Sequence, residues 1–85
     1  MLRLTTTRNA GGVTILAEGE LVAEWVQLLA NTCERLRENG SDLRLDLSGL
    51  TYVDSQGVER LRLLENAGIR LLDCPPLIRT MLTED

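Results

Sequence analysis

The chain has 85 residues, of which 44% are hydrophobic, and it carries a formal net charge of −4. A chain of this length has room for one hydrophobic core, so we predict a single domain over residues 1–85. The acidic balance argues against a nucleic-acid partner, which requires a basic face. No apolar run approaches the length of a transmembrane helix, so we expect no membrane insertion.

The N-terminal segment and the cysteines predict a cytoplasmic protein. The first residues, MLRLTTTRNAGG, are too polar for a signal peptide. Cys33 and Cys74 lie far apart in the sequence, and reduced thiols are expected in the cytoplasm. Cys33 falls on the apolar stripe of a predicted helix, whereas Cys74 precedes two prolines and is expected to be more exposed. We predict a packing role for both thiols in preference to a reactive one.

The first half of the chain predicts two strands and a long helix. Strands are predicted over Leu2–Thr7 and Val13–Glu18. The short turn between them, RNAGG, contains one asparagine and two glycines and makes the pair antiparallel. A helix is predicted over Glu20–Asn39, with Gly40 as its stop. Its apolar residues recur at three- and four-residue spacings, at Leu21, Trp25, Leu28, Leu29, Cys33 and Leu36.

The second half predicts two further strands, each followed by a helix. The strand Leu43–Leu47 follows a helix, so a right-handed crossover makes it parallel to the second strand. The segment SGLTYVD is then expected to carry the chain off the sheet. A helix over Gln56–Asn66, a strand over Ile69–Leu72 and a short helix opened by Pro75 and Pro76 complete the chain. The order ββαβαβα predicts an α/β fold with a four-stranded mixed sheet and about three helices.

The segment TYVDSQG, residues 51–57, joins the third strand to the second helix, where α/β sheets commonly place functional groups. A serine hydrolase site is excluded because the chain contains no histidine and every basic side chain is arginine. The nucleophile-elbow pattern also fails, since Val53 stands where its first glycine is required. We therefore predict no enzymatic activity.

Metal and phosphate sites are equally disfavoured. Two scattered cysteines without a histidine cannot form a zinc site. Asp42, Asp46 and Asp54 are candidate magnesium ligands, but a solvated face is the preferred interpretation. The segment DSQG supplies one glycine and no lysine, unlike a phosphate-binding loop. We predict no cofactor.

Ser55 has two interpretations that the residues leave open. As a helix N-cap, its hydroxyl would accept a first-turn amide hydrogen bond and contribute about 1 kcal/mol. As a phosphorylation site, it would bring a charge of about −1.5 to −2 to a helix N-terminus. Asp54 beside it, and Asp46 if it lies close, would repel that charge.

The segments LAEGEL, LRLDLSGLTYVDSQG and GIRLLD, with the helices between and after them, resemble a STAS domain, as in bacterial anti-sigma factor antagonists. The resemblance covers Leu2 to Leu82 and is most specific over Leu43–Gly57. The chain departs from the family pattern at Val22, where the family usually carries an aspartate.

This resemblance implies a regulatory phosphoprotein in signalling and transcription regulation. The serine phosphorylated in the family corresponds to Ser55, and the unmodified form would bind an anti-sigma factor that is also a serine kinase. Phosphorylation would abolish binding and a phosphatase would restore it. The expected partner-binding residues are Asp46, Tyr52, Val53, Asp54, Ser55, Gln56 and Gly57.

An alternative within the same resemblance is a constitutive STAS-like protein-interaction subunit. One example is the small cytoplasmic subunit of a lipid-transport ABC complex, which binds the ATPase. Ser55 would then be only a cap or a contact. Trp25 is predicted to be core, and its use as a homodimer contact stays open.

Overall fold

Seven elements follow one another in the predicted order ββαβαβα. The structure, a computed structural model, describes residues 1–38, 40 and 42–83. The elements are β1 (Leu2–Asn9), β2 (Gly12–Leu21), α1 (Glu24–Glu38), β3 (Leu43–Val53), α2 (Ser55–Asn66), β4 (Arg70–Leu72) and α3 (Pro76–Thr83). The predicted α/β class and element order are confirmed.

The four strands form one mixed sheet in the order β1-β2-β3-β4. The β1–β2 pair is antiparallel, and both the β2–β3 and β3–β4 pairs are parallel, as predicted. Both crossovers advance across the sheet in the same direction and are expected to be right-handed, which places α1 and α2 on one face. The last helix, α3, packs against α2. The opposite face of the sheet carries the intermediate and exposed positions of the strands.

The core is aliphatic and lies between the sheet and the helices. Alternate residues of β2 and β3 point towards the helices, and Ile15 and Leu45 are fully buried. From the helices, Leu29 and Leu61 are also fully buried. Val58 and Leu64, on the same face of the second helix as Leu61, are buried as well.

The junction between β2 and α1 lies further along the chain than predicted. The helix begins at Glu24 instead of Glu20, and the strand continues to Leu21, which is fully buried and pairs with Val53 of β3. Leu21 is therefore a strand residue and not part of the helical stripe. On α1 itself, Leu28 is 42% exposed although it was predicted to face the core.

Two further predictions on the first helix have different outcomes. Trp25 is half-buried and packs against the edge of the core, so its place in the apolar stripe is confirmed in part. Gly40 has a φ of 75°, the left-handed conformation expected of a helix stop. The predicted last residue of the helix, Asn39, lies outside the described residues.

The other strand ends differ from prediction in one important case. β3 runs to Val53 instead of ending at Leu47, so the segment expected to leave the sheet remains within it. β1 ends at Asn9 instead of Thr7, and β4 begins at Arg70 instead of Ile69. The extension of β3 is the difference that positions the candidate site.

The end of α3 is held by a side chain from α2. Arg62 donates from Nε to the Leu82 carbonyl at 3.0 Å and from Nη2 to the Met81 carbonyl at 2.9 Å. Carbonyls of the last helical turn lack partners within the helix, so these bonds satisfy them. None of the described helices is long and apolar enough to cross a membrane.

The two thiols differ in burial, as predicted. Cys33 is 1% exposed, and burial raises its pKa to about 11. Cys74 is half-buried, and burial also raises its pKa. Because the folded state holds Cys33 protonated more tightly than the unfolded state does, stability falls as pH rises from about 9 to about 11. We expect urea titrations at several pH values to show this decline.

A Cys33→Ala variant is the control for the thiol prediction. Its stability at neutral pH should be lower, because the core loses the sulfur atom. Its further decline between about pH 9 and 11 should nevertheless be smaller than that of wild type. Equal declines in the two proteins would contradict the assignment to Cys33.

Candidate functional site

The candidate site is the junction between β3 and α2, where one residue, Asp54, separates the strand from the helix. β2 and β3 are parallel and end side by side, with Leu21 opposite Val53. The turn from β2 into α1 therefore lies beside the start of α2. The β2–α1 turn, residues 22–23, and the β3–α2 junction together form this edge of the sheet.

Two β-bulges bring β3 to this junction. β3 gains one residue relative to β2 between Leu16 and Glu18, and another between Gly19 and Glu20. Across the two bulges the buried positions of β3 fall three residues apart, at Leu47, Leu50 and Val53. Bulges re-aim side chains and occur often beside functional sites. Here they leave Thr51 and Tyr52 exposed while Val53 is buried.

Asp54 connects the two segments at this edge through both carboxylate oxygens. Its Oδ1 accepts a hydrogen bond from the Gly57 amide at 2.8 Å, and its Oδ2 accepts one from the Ala23 amide at 3.0 Å. Asp54 has extended backbone angles, φ −85° and ψ −179°, and is the N-cap of α2. It thus caps α2 and holds the β2–α1 turn at the same time.

The turn that Asp54 holds has an unfavourable backbone conformation. Ala23 has a φ of 50°, in the left-handed region. An alanine there costs roughly 1–2 kcal/mol relative to the right-handed region. The turn is closed by a hydrogen bond from Trp25 N to the Val22 carbonyl at 3.0 Å. The Asp54 bond to the Ala23 amide is therefore one of the contacts that offset this strain.

The prediction that Ser55 caps α2 is wrong, because Asp54 occupies the cap position. Ser55 is the first helical residue and is exposed. Its hydroxyl makes no hydrogen bond with the described residues. The backbone amides of Ser55 and Gln56 likewise have no hydrogen-bond partner in the described part of the chain, as is usual in a first helical turn. Ser55 therefore places a hydroxyl that bonds to no described residue beside the amides of the first helical turn.

Six of the seven predicted partner-binding residues lie at the junction, and they fall into three groups. Tyr52, which is 56% exposed, and Gln56 stand at the junction with Ser55. Val53 is 1% exposed and Gly57 is buried, so neither offers a side chain to a docked protein. Asp54 is half-buried and engaged in the two bonds described above.

Asp46 is not brought together with Ser55. It lies in the middle of β3, on the sheet face away from the helices, seven residues before the end of the strand. At about 3.3 Å per residue this corresponds to roughly 20 Å. Its Oδ1 accepts a hydrogen bond from the Ser48 amide at 2.9 Å, next to the first bulge. Asp46 therefore supports the shape of β3 and cannot repel a charge on Ser55 directly.

Gly57 is needed for the close approach of α2 to the sheet. A Cβ atom at this position would lie 2.5 Å from the Leu21 carbonyl oxygen and 2.6 Å from Val53 Cγ1. The absence of a side chain lets the first turn of α2 contact the ends of β2 and β3 directly.

A shallow groove begins beside Ser55. It was not predicted from the sequence. It has a volume of about 410 Å³, and Ala23 on one side and Glu59 on the other contribute to its walls. Three of its lining residues, Gln27, Arg60 and Leu63, also line a larger groove of about 670 Å³ between α1 and α2. The exposed Leu63, 49% accessible, is the apolar part of this surface.

The described residues contain no group of three or more His, Cys, Asp or Glu side chains that could hold a metal ion. The three aspartates considered as magnesium ligands are spread along the length of β3 and do not form a cluster. Asp42 precedes the strand, Asp46 lies within it and Asp54 follows it. The exposed side chains at the junction, those of Tyr52, Ser55 and Gln56, carry hydroxyl and amide groups.

In comparisons with known proteins, the chain matches no protein-family model and no curated protein.

Proposed function

We propose that the protein is a non-enzymatic regulatory binding module, resembling an anti-sigma factor antagonist, that is switched by phosphorylation of Ser55. The observation that carries the proposal is the exposure of Ser55 at the first position of α2, with a hydroxyl that bonds to no described residue. A kinase could therefore reach this oxygen without unfolding the helix. The proposal places the protein in the cytoplasm, where ATP is available.

The proposed partner is an anti-sigma factor with serine kinase activity. The kinase would transfer the γ-phosphoryl group of ATP to Ser55: an Oγ–P bond forms, the bond from phosphorus to ADP breaks, and the hydroxyl proton leaves to a base of the kinase. This chain supplies only the acceptor hydroxyl, which agrees with its lack of histidine and lysine. Release of the phosphate by a phosphatase would reset the switch.

Phosphorylation would change the charge of the junction more than its shape. A phosphoserine carries a charge of about −1.5 to −2 at neutral pH. Asp54 precedes it, and Glu59 lies four residues further along α2, on the same side of the helix. A partner surface that accepts the neutral serine would then face a concentration of negative charge. If the partner presents carboxylates at this point, juxtaposed like charges cost several kcal/mol at the interface, enough to prevent binding.

The first test measures where phosphate is added. Purified protein is incubated with the candidate kinase and ATP, and the intact mass is measured. We expect one phosphoryl group on the wild type and on Ser48→Ala, and none on Ser55→Ala. Ser48 is a suitable control because it is also an exposed serine, located on β3. An unmodified wild type, or a modified Ser55→Ala variant, would refute the proposal.

The second test measures binding. The unmodified protein and its Ser55→Ala variant should bind the kinase with similar affinity, because the hydroxyl contributes little to the contact area. The phosphorylated protein should bind at least about 100-fold more weakly. Equal affinities of the phosphorylated and unmodified forms would show that Ser55 does not regulate docking.

A constitutive protein-interaction subunit is the second candidate function. Tyr52, 56% exposed beside the junction, favours it, because a large exposed aromatic side chain is a common anchor in permanent contacts. The partner in this case would be the ATPase of a lipid-transport ABC complex. Neighbouring genes separate the two functions: a sigma factor and a kinase support the first, and an ABC ATPase with a permease supports the second.

A further inference from the structure

Asp54 joins two segments that are distant in sequence. Its Oδ1 bonds the Gly57 amide in the first turn of α2, and its Oδ2 bonds the Ala23 amide, 31 residues earlier in the chain. Ala23 and Ser55 also line the same groove. A displacement of the Asp54 carboxylate therefore changes hydrogen bonds at both the start of α2 and the β2–α1 turn.

We infer that Asp54 transmits the phosphorylation state of Ser55 to the β2–α1 turn at Ala23. The inference rests on the proposed function, since it concerns the modification assigned there. Its physical basis is competition at the start of α2, where a phosphate on Ser55 can reach the Gly57 amide that the Asp54 carboxylate occupies. The two anions also repel each other because they belong to adjacent residues.

The Ala23 bond is the part of this arrangement that yields. The phosphate can bond the amides of Ser55 and Gln56, which have no partner among the described residues, and can reach towards the Gly57 amide that Asp54 now occupies. A carboxylate displaced from Gly57 also moves its second oxygen away from Ala23. Ala23 has a positive φ, so its turn favours other conformations once that bond is lost.

The β2–α1 turn is then a second segment whose conformation changes when Ser55 is phosphorylated. The turn at Ala23 borders the groove beside Ser55, so a partner docked at the junction contacts both. Phosphorylation then alters the interface in two ways, by charge at Ser55 and by loosening at Ala23. Local loosening of this kind is measurable as faster exchange of the amide hydrogen.

The experiment uses the full chain with phosphoserine installed at position 55 by semisynthesis, without any kinase or partner. Amide hydrogen exchange is followed by NMR. We expect the Ala23 amide to exchange roughly tenfold faster or more than in the unmodified protein, while the amide of Leu4 in β1 stays unchanged. The matched control carries phosphoserine at position 48, on β3, and should leave Ala23 unchanged.

An Asp54→Ser variant tests the route. Serine can still cap α2, but its single oxygen cannot also reach the Ala23 amide, so Ala23 should exchange fast with or without phosphate on Ser55. An Ala23 amide that keeps its wild-type rate when Ser55 is phosphorylated would overturn the inference, whether or not the Asp54→Ser variant folds. A failure of the kinase or binding tests would not alter this result, because neither protein is present here.

Discussion

Replacing Asp54 by alanine is expected to lower the free energy of unfolding by about 3 kcal/mol, measured by urea denaturation. Removing an N-cap aspartate costs about 0.5–2 kcal/mol. The second oxygen accepts the Ala23 amide, and a hydrogen bond to a charged group contributes about 1.5–3 kcal/mol. The carboxylate is half-buried, so neither upper limit applies. About 1 kcal/mol for the cap and about 2 kcal/mol for the bond to Ala23 together give the expected loss.

The control for this prediction is Asp54→Ser. It keeps the cap and removes the bond to Ala23, so it should lose about two thirds as much stability as Asp54→Ala. An alanine variant that unfolds at the same urea concentration as wild type would show that the carboxylate does not connect these segments.

Gly57→Ala is the second substitution with a large expected effect, a loss of about 2 kcal/mol. In an ordinary helix this change stabilises by about 1 kcal/mol, because alanine is the better helix former. Here the added Cβ would lie 2.5 Å from the Leu21 carbonyl oxygen, which belongs to the backbone of a buried strand and cannot move aside cheaply. Overpacking a core usually costs about 1–3 kcal/mol, and a contact this short with a backbone atom belongs at the upper end of that range. Subtracting the gain in helix propensity of about 1 kcal/mol leaves the expected loss of about 2 kcal/mol.

The sign of the change distinguishes the two effects at Gly57. Gly11→Ala is the matched control, because a Cβ there finds its nearest atom, Asn9 Oδ1, at an ordinary 3.5 Å. That variant should lie within about 0.5 kcal/mol of wild type. A Gly57→Ala variant that is more stable than wild type would mean that α2 does not approach β2 this closely.

The element order and strand directions could be predicted because they follow from local patterns. Strand and helix periodicities differ, and the short turn between β1 and β2 imposes an antiparallel pair. The helical crossovers impose parallel pairs for β3 and β4. The exposure of Ser55 also follows from its position in the first turn of a helix that begins at the edge of the sheet, where β3 ends.

The finer geometry of the site could not be predicted, for reasons specific to three residues. The β2–α1 turn contains Ala23 with a positive φ, where a glycine would have signalled the break. Asp54 and Ser55 are both good N-cap residues, and the contact with Ala23, which favours the aspartate, is a tertiary one. The bulges of β3 depend on its pairing with β2, and the sequence pattern of β3 alone does not indicate them.

The one-residue connection between β3 and α2 has a consequence for the thermodynamics of recognition. Ser55 and Gln56 are the first two residues of α2 and follow β3 after Asp54 alone, without a loop whose freedom would be lost on docking. Ordering a mobile side chain at an interface costs about 0.5–1.5 kcal/mol, and more where backbone must be fixed as well. A rigid junction avoids the backbone part of that entropy loss, so even a small contact area can sustain a useful affinity.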